Sequence, residues 1–206
     1  NAGNRDNIKI EINFMDRCHI LPLIKKDIYT GDVLQSHEIL TLNEIEQVIK
    51  AYGEATRRAI EAGFDGVEIH GANTYLIQQF YSAFTNKRTD DYGGTIEKRM
   101  RFPLNIVNEV INIKRKYASE SFIVGYRFSP EEPQENGITM DETILLVEEL
   151  ANTELDYLHV SLGDYRSVTQ RFKKAQQNRI VVIQNTLNGR KPLIGVGSIY
   201  QLEEAE

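Results

Sequence analysis

Short apolar runs that alternate with longer helical stretches constrain this chain more than any other feature, because that alternation decides how its strands can pair. The first helix is announced by Thr41-Leu42-Asn43-Glu44, a hydroxyl and a carboxylate three residues apart in the form of a capping box. Ile45, Val48, Ile49, Tyr52, Ala55 and Ala59 then recur at three- and four-residue spacing, and Gly63 stands where a left-handed C-terminal cap belongs. A short strand over 64–70 follows. The unit repeats: Phe102, Ile106, Val107, Val110, Ile113 and Tyr117 mark a helix before the strand 122–128, which stops at Ser129-Pro130. A second capping box, Thr139 to Glu142, opens a helix through Leu150 that leads to a strand over 157–161. A helix over 180–187, closed by Asn188-Gly189, precedes a strand over 193–196, and 200–206 reads as the start of another helix. Residues 1–40 lack this rhythm and read as loop-rich, with a short strand over 8–14, an apolar patch over 18–24 and a turn at Gly31-Asp32. The chain thus divides into a poorly patterned segment, 1–40, and a repeating β/α segment, 41–206.

Strands separated by helices of about ten to twenty residues pair in parallel, since antiparallel neighbours need only tight turns. Two architectures satisfy this, an open doubly wound sheet and a (β/α)8 TIM barrel. No G-x-G-x-x-G or Walker sequence lies between a strand and a helix, as a doubly wound nucleotide-binding sheet would require. The polar side chains His70, Arg127 and Ser161 sit instead at the C-terminal ends of strands, where barrels carry their chemistry. The expected fold is therefore a barrel, and with 206 residues and four β/α units it is an incomplete one, since a full barrel takes about 250 residues. Unpaired strand edges are adhesive, so they are expected to be covered by a second copy, in a homo-oligomer, or by other chain segments.

Composition narrows the partners. The 24 Lys and Arg are scattered and the net charge is −6, which argues against nucleic acid and leaves a small-molecule substrate. Apolar runs fall short of the roughly 18 residues of a membrane span. The single cysteine, Cys18, allows no internal disulfide and no multi-thiolate zinc site, which suggests a cytoplasmic protein.

His70, Asn73 and Tyr75 lie within six residues at the end of a strand. An imidazole and a carboxamide can both donate to one carbonyl oxygen and stabilise charge developing there. A tyrosine adds a weak acid able to protonate a carbanion. The plainer reading makes His70 a satisfied strand-end residue and Tyr75 a loop residue. Arg127 lies on an apolar strand and needs an anion or electron-rich atom, which either Glu68 or a ligand could provide. Gly197 and Ser198 end the last strand, where backbone amides can approach a phosphate, although a simple turn explains them equally. His159 reads as a packed sheet residue, and His19 and His37 have no metal-ligand spacing, so no metal site is expected. The charged stretch 86–99 reads as a solvated connection pinning the loop that carries Tyr75.

The stretch from Gly63 to Phe80, GFDGVEIHGANTYLIQQF, followed by Asn86-x-Arg88-Thr89-Asp90-x-Tyr92-Gly93-Gly94 and Glu97-x-Arg99-x-Arg101-Phe102, resembles the old yellow enzyme family of flavin-dependent NAD(P)H oxidoreductases. Weaker agreement continues through 125–130, 155–161 and 192–198. The resemblance implies a (β/α)8 barrel that holds FMN at its C-terminal mouth, takes hydride from NADH or NADPH and reduces activated alkenes such as α,β-unsaturated carbonyls. It assigns His70 and Asn73 to the carbonyl oxygen, Tyr75 to protonation of the α-carbon, Arg127 to the flavin's pyrimidine edge, and Gly197 and Ser198 to the phosphate. Thr74 departs from the pattern, because the family usually has glycine before this tyrosine. The strands that the family places first to third and eighth have no counterpart in the repeating segment. Two other functions compete: a non-catalytic barrel fragment serving as a binding or oligomerisation module, and a lyase using His70 and Glu68 as acid and base.

Overall fold

The structure, a computed structural model, describes residues 39–174 and 176–200. Its elements run α1 (Leu42–Glu61), β1 (Gly66–Gly71), α2 (Leu76–Tyr81), α3 (Ile96–Tyr117), β2 (Ile123–Phe128), α4 (Met140–Ala151), β3 (Tyr157–Val160), α5 (Arg179–Leu187) and β4 (Leu193–Gly195). The expected strand at 8–14, the residues Cys18, His19 and His37, and the helix continuing beyond Tyr200 lie outside the described residues.

Local signals fix the helix ends. Thr41 Oγ1 accepts from the Glu44 amide at 3.2 Å while the Glu44 carboxylate accepts from the Thr41 amide at 2.8 Å, and the same reciprocal pair forms between Thr139 and Glu142. Thr95 caps α3 through the Lys98 amide. At the far end of α5, Asn188 and Gly189 both adopt positive φ, as expected for a left-handed stop.

The four strands form one parallel sheet in the order β1-β2-β3-β4. Each helix-crossed connection returns the chain beside its predecessor, the β/α repeat that builds a (β/α)8 barrel. The described residues supply four such strands, and no further strand is present among them. Because side chains alternate along a strand, the register Ile69, Tyr126, Leu158 and Leu193 sets one face, which packs with the helices into the core around Phe80, Phe102, Ile106 and Leu150. Glu68, His70, Arg127, His159 and Ile194 alternate with them and occupy the opposite face, the interior surface of a barrel.

Two elements differ from the sequence reading. The short helix α2 carries no visible periodicity because all six of its residues are buried, so there is no polar face to alternate with an apolar one. The stretch 86–99 is a solvated connection only in part: Lys87, Thr89, Asp91 and Glu97 are exposed, but Asn86, Arg88 and Arg99 are buried. Asn86 donates to the carbonyls of Phe80 and Tyr92, and Arg88 reaches the Leu40 carbonyl at 2.8 Å while pairing with Asp90. Charged residues here serve as buried donors to backbone carbonyls, which mean polarity along the chain does not reveal.

Candidate active site at the C-terminal ends of the strands

His70, next to last in β1, lies beside Arg127 of β2, which in turn lies beside His159 of β3. The Ala72 amide donates to His70 Nδ1 at 3.3 Å, which places the proton of a neutral ring on Nε2. The Tyr75 ring meets the imidazole edge-on, with centroids 5.1 Å apart and planes at 79°.

Between them the chain makes a turn in which Asn73 and Thr74 both have positive φ, 56° and 63°. Asn73 is held twice: its amide donates to Ser129 Oγ at 3.0 Å, and its Oδ1 accepts from Ser161 Oγ at 3.1 Å. The carboxamide therefore uses its acceptor on the protein, and the NH2 group points away from that bond. Ser161 Oγ accepts in turn from Arg127 Nη2 at 2.9 Å, so one hydroxyl links the guanidinium to Asn73. Arg127 Nε is buried without a hydrogen-bond partner among the described residues. An orphaned charged donor of this kind calls for an acceptor.

Arg127 does not pair with Glu68, one of the two partners that its sequence position allowed. Glu68 Oε2 accepts from Tyr157 Oη at 3.0 Å and meets His159 Nδ1 at 2.8 Å. The cause is Gly125, which lies on the strand between them: a Cβ there would stand 2.0 Å from Tyr157 Cζ. With no side chain in the way, β3 residues reach across β2 to β1. Burial and the neighbouring Glu68 carboxylate push the Tyr157 phenol up to about 12, so it remains a donor to Glu68. Glu68, which a lyase would need as its base, is thus engaged by two side chains, and His159 is a hydrogen-bond partner of Glu68 as well as a packed sheet residue.

Gly197 and Ser198 turn against the β3–α5 loop. Gly197 has φ 131°, and a Cβ would lie 2.7 Å from the Leu162 carbonyl oxygen, so only glycine fits. Its carbonyl accepts from the Tyr165 amide at 3.0 Å, and Ser198 Oγ donates to the Gly163 carbonyl at 2.7 Å. The serine hydroxyl is thereby committed to the loop, and the backbone amides are the groups left to meet an anion.

Ser161 is expected at the C-terminal end of a strand, but its hold on Asn73, the part of Ser129 and the side chains that bond Thr74 are not read from the sequence. Ser129 and Ser161 lie far from Asn73 in sequence, and the pairing of the strands brings them together. Thr74 itself yields a prediction. A β-branched residue in the left-handed region is strained, at a cost of about 1 kcal/mol or more, so Thr74→Gly is expected to raise the unfolding free energy by about 1 kcal/mol. Urea unfolding of the two proteins measures this, and a less stable glycine variant would show that the turn is unstrained.

Among the described residues no helix is long and apolar enough to cross a membrane, and no group of three or more His, Cys, Asp or Glu could hold a metal ion. A family model for the NADH:flavin oxidoreductase / NADH oxidase family matches residues 21–206. A probable NADH-dependent flavin oxidoreductase of Bacillus subtilis (strain 168), YqiG, is 55% identical over 166 residues, covering 81% of this chain and 45% of the relative. An NADH:acrylate oxidoreductase of Vibrio harveyi is 44% identical over 170 residues, covering 81% of this chain and 17% of the relative. The chain therefore spans less than half the length of these curated relatives. Among solved structures, an old yellow enzyme homologue from Zymomonas mobilis superposes with a TM-score of 0.69 at 28% identity, covering 90% of this chain and 52% of that one. A family match that takes in the whole β/α segment, together with a shared barrel-type fold, means that the chain belongs to the NADH:flavin oxidoreductase / NADH oxidase family, that of the old yellow enzymes.

Proposed function

We propose that the protein is an FMN-dependent NAD(P)H oxidoreductase that reduces alkenes activated by a carbonyl. The observation that carries this reading is the linked set Arg127, Ser161 and Asn73 beside His70 and Tyr75, with the buried Arg127 Nε lacking an acceptor. The residues present fit a flavin: a half-buried cation with a buried, unpartnered Nε offers a hydrogen bond to an electron-rich ring edge, and the Gly197–Ser198 turn offers backbone amides to a phosphate. The chemistry that FMN supplies when bound is hydride transfer, from reduced nicotinamide to the alkene's β-carbon. His70 Nε2 and the Asn73 NH2 group donate to the substrate carbonyl oxygen and stabilise the charge that gathers there. Tyr75 gives its phenolic proton to the α-carbon. Arg127 would have a double duty, holding the cofactor when it is bound and, through Ser161, setting which end of the Asn73 carboxamide faces the substrate.

Titration with FMN, followed by flavin absorbance and fluorescence, tests this reading. Uptake of FMN is expected, and Arg127→Leu should weaken it about ten- to hundredfold, the range for losing a hydrogen bond to a charged group. A folded protein that takes up no flavin would overturn the reading in favour of a non-catalytic binding module.

A further inference from the structure

The turn that carries Tyr75 is clamped by residues to which the proposed chemistry gives no part. On one side, the Thr74 amide donates to Gln78 Oε1 at 2.9 Å; on the other, Gln79 Nε2 donates to the Thr74 carbonyl at 2.7 Å. Both glutamines are buried in α2. Gln78 is held in turn by Glu132 of the β2–α4 loop, 54 residues away, whose Oε1 accepts from Gln78 Nε2 at 2.6 Å. The other oxygen of Glu132 accepts from the Ser82 hydroxyl and from the Ile138 amide.

We propose that Glu132 is a positioning residue for Tyr75, acting through Gln78 to hold Thr74 in its left-handed turn. Both oxygens of Glu132 act as acceptors here, so Glu132 draws the NH2 group of Gln78, and the amide oxygen of Gln78 is then turned to the Thr74 N–H. A glutamine without that constraint could flip and set NH2 against N–H. The clamp is needed because threonine resists this conformation, whereas a glycine would adopt it without help. Glu132 thereby lets a β-branched residue stand directly before the proton donor. This assignment of Glu132 rests on the function proposed above.

The variant Glu132→Gln removes one acceptor: its carboxamide cannot accept from Gln78, Ser82 and Ile138 together. In this variant, amide hydrogen exchange at Thr74 should accelerate about tenfold while Ile69 and Tyr126 in the sheet keep their protection. In the FMN-loaded protein, kcat for alkene reduction should fall about tenfold with the rate of flavin reduction by NADH unchanged. Adding Thr74→Gly should restore kcat to within about twofold of the Thr74→Gly protein, because a glycine turn needs no clamp. A purely structural role for Glu132 would give no such rescue. Unchanged exchange at Thr74, or a double variant as slow as Glu132→Gln, would overturn the proposal. Gln78→Met breaks the same link and carries the same expectations should Glu132→Gln fail to fold. Hydrogen exchange needs neither flavin nor turnover, so failure of the oxidoreductase reading would appear separately, as a parent protein that reduces no alkene.

Discussion

Tyr75→Phe is expected to slow alkene reduction about a hundredfold or more, within the range for loss of a positioned general acid, and to leave flavin reduction by the nicotinamide unchanged. The phenolic hydroxyl makes no hydrogen bond among the described residues, and Tyr75 is 41% exposed. Its ring packs edge-on against His70, and its backbone, not its oxygen, anchors the turn, through the Ala72 carbonyl at 3.1 Å and the Gln79 amide at 2.9 Å. Phenylalanine keeps all of these contacts, so stability should change by less than about 0.5 kcal/mol. Stopped-flow measurement of the two half-reactions separates the effects. An unimpaired oxidative half-reaction would mean that the proton comes from elsewhere. Equal slowing of both halves would mean that the ring, and not the hydroxyl, matters.

Much of this was legible in the sequence for a physical reason: the signals that could be read are local. Thr41 with Glu44 and Thr139 with Glu142 are each three residues apart, so the chain carries both halves of the interaction in one window. The strands ending at His70, Arg127 and Ser161 stand out because apolar residues give way to polar ones at a point that every parallel sheet exposes. What remained hidden depends on register. Whether Arg127 faces Glu68 or Ser161 turns on which residues lie level across three strands, and on Gly125 leaving room for Tyr157 to span the middle one. The buried glutamines of α2 were invisible for a related reason: within a fully buried helix, Gln78 and Gln79 look like interruptions of an apolar run until Glu132 and Thr74 supply their partners. The stretch 86–99 misled because composition counts charges without saying which of them a carbonyl will solvate.

The pair Arg99 and Arg101 draws that distinction most sharply. They sit two apart in one motif, yet Arg99→Leu is expected to cost about 3 kcal/mol of stability and Arg101→Leu less than about 0.5 kcal/mol. Arg101 meets Asp91 at 3.1 Å, but both side chains are about half exposed or more, 49% and 68%, where water screens the attraction. Arg99 is buried. Its Nη1 donates to the Tyr81 carbonyl at 2.9 Å, its Nη2 meets Glu142 Oε1 at 2.7 Å, and the guanidinium lies over the Tyr81 ring. Tyr81 closes the same circuit by donating its hydroxyl to the Glu142 carbonyl; burial pushes that phenol well above its ordinary range, so it stays a donor. Removing the guanidinium therefore strips a partner from a buried carbonyl and from a carboxylate at once. Two features hold the loss to the low end of the buried-pair range: Arg99 Nε already lacks a partner, and Glu142 keeps the Thr139 amide at 2.9 Å as the capping residue of α4. Urea midpoints of the two variants decide the matter, and comparable losses would show that burial does not govern this motif. The effect should also reach the active site. Arg99 ties the last residue of α2 to α3 and α4, and Tyr75 stands at the start of α2, so a loosened α2 should raise hydrogen exchange at the Thr74 amide as well as lowering the midpoint.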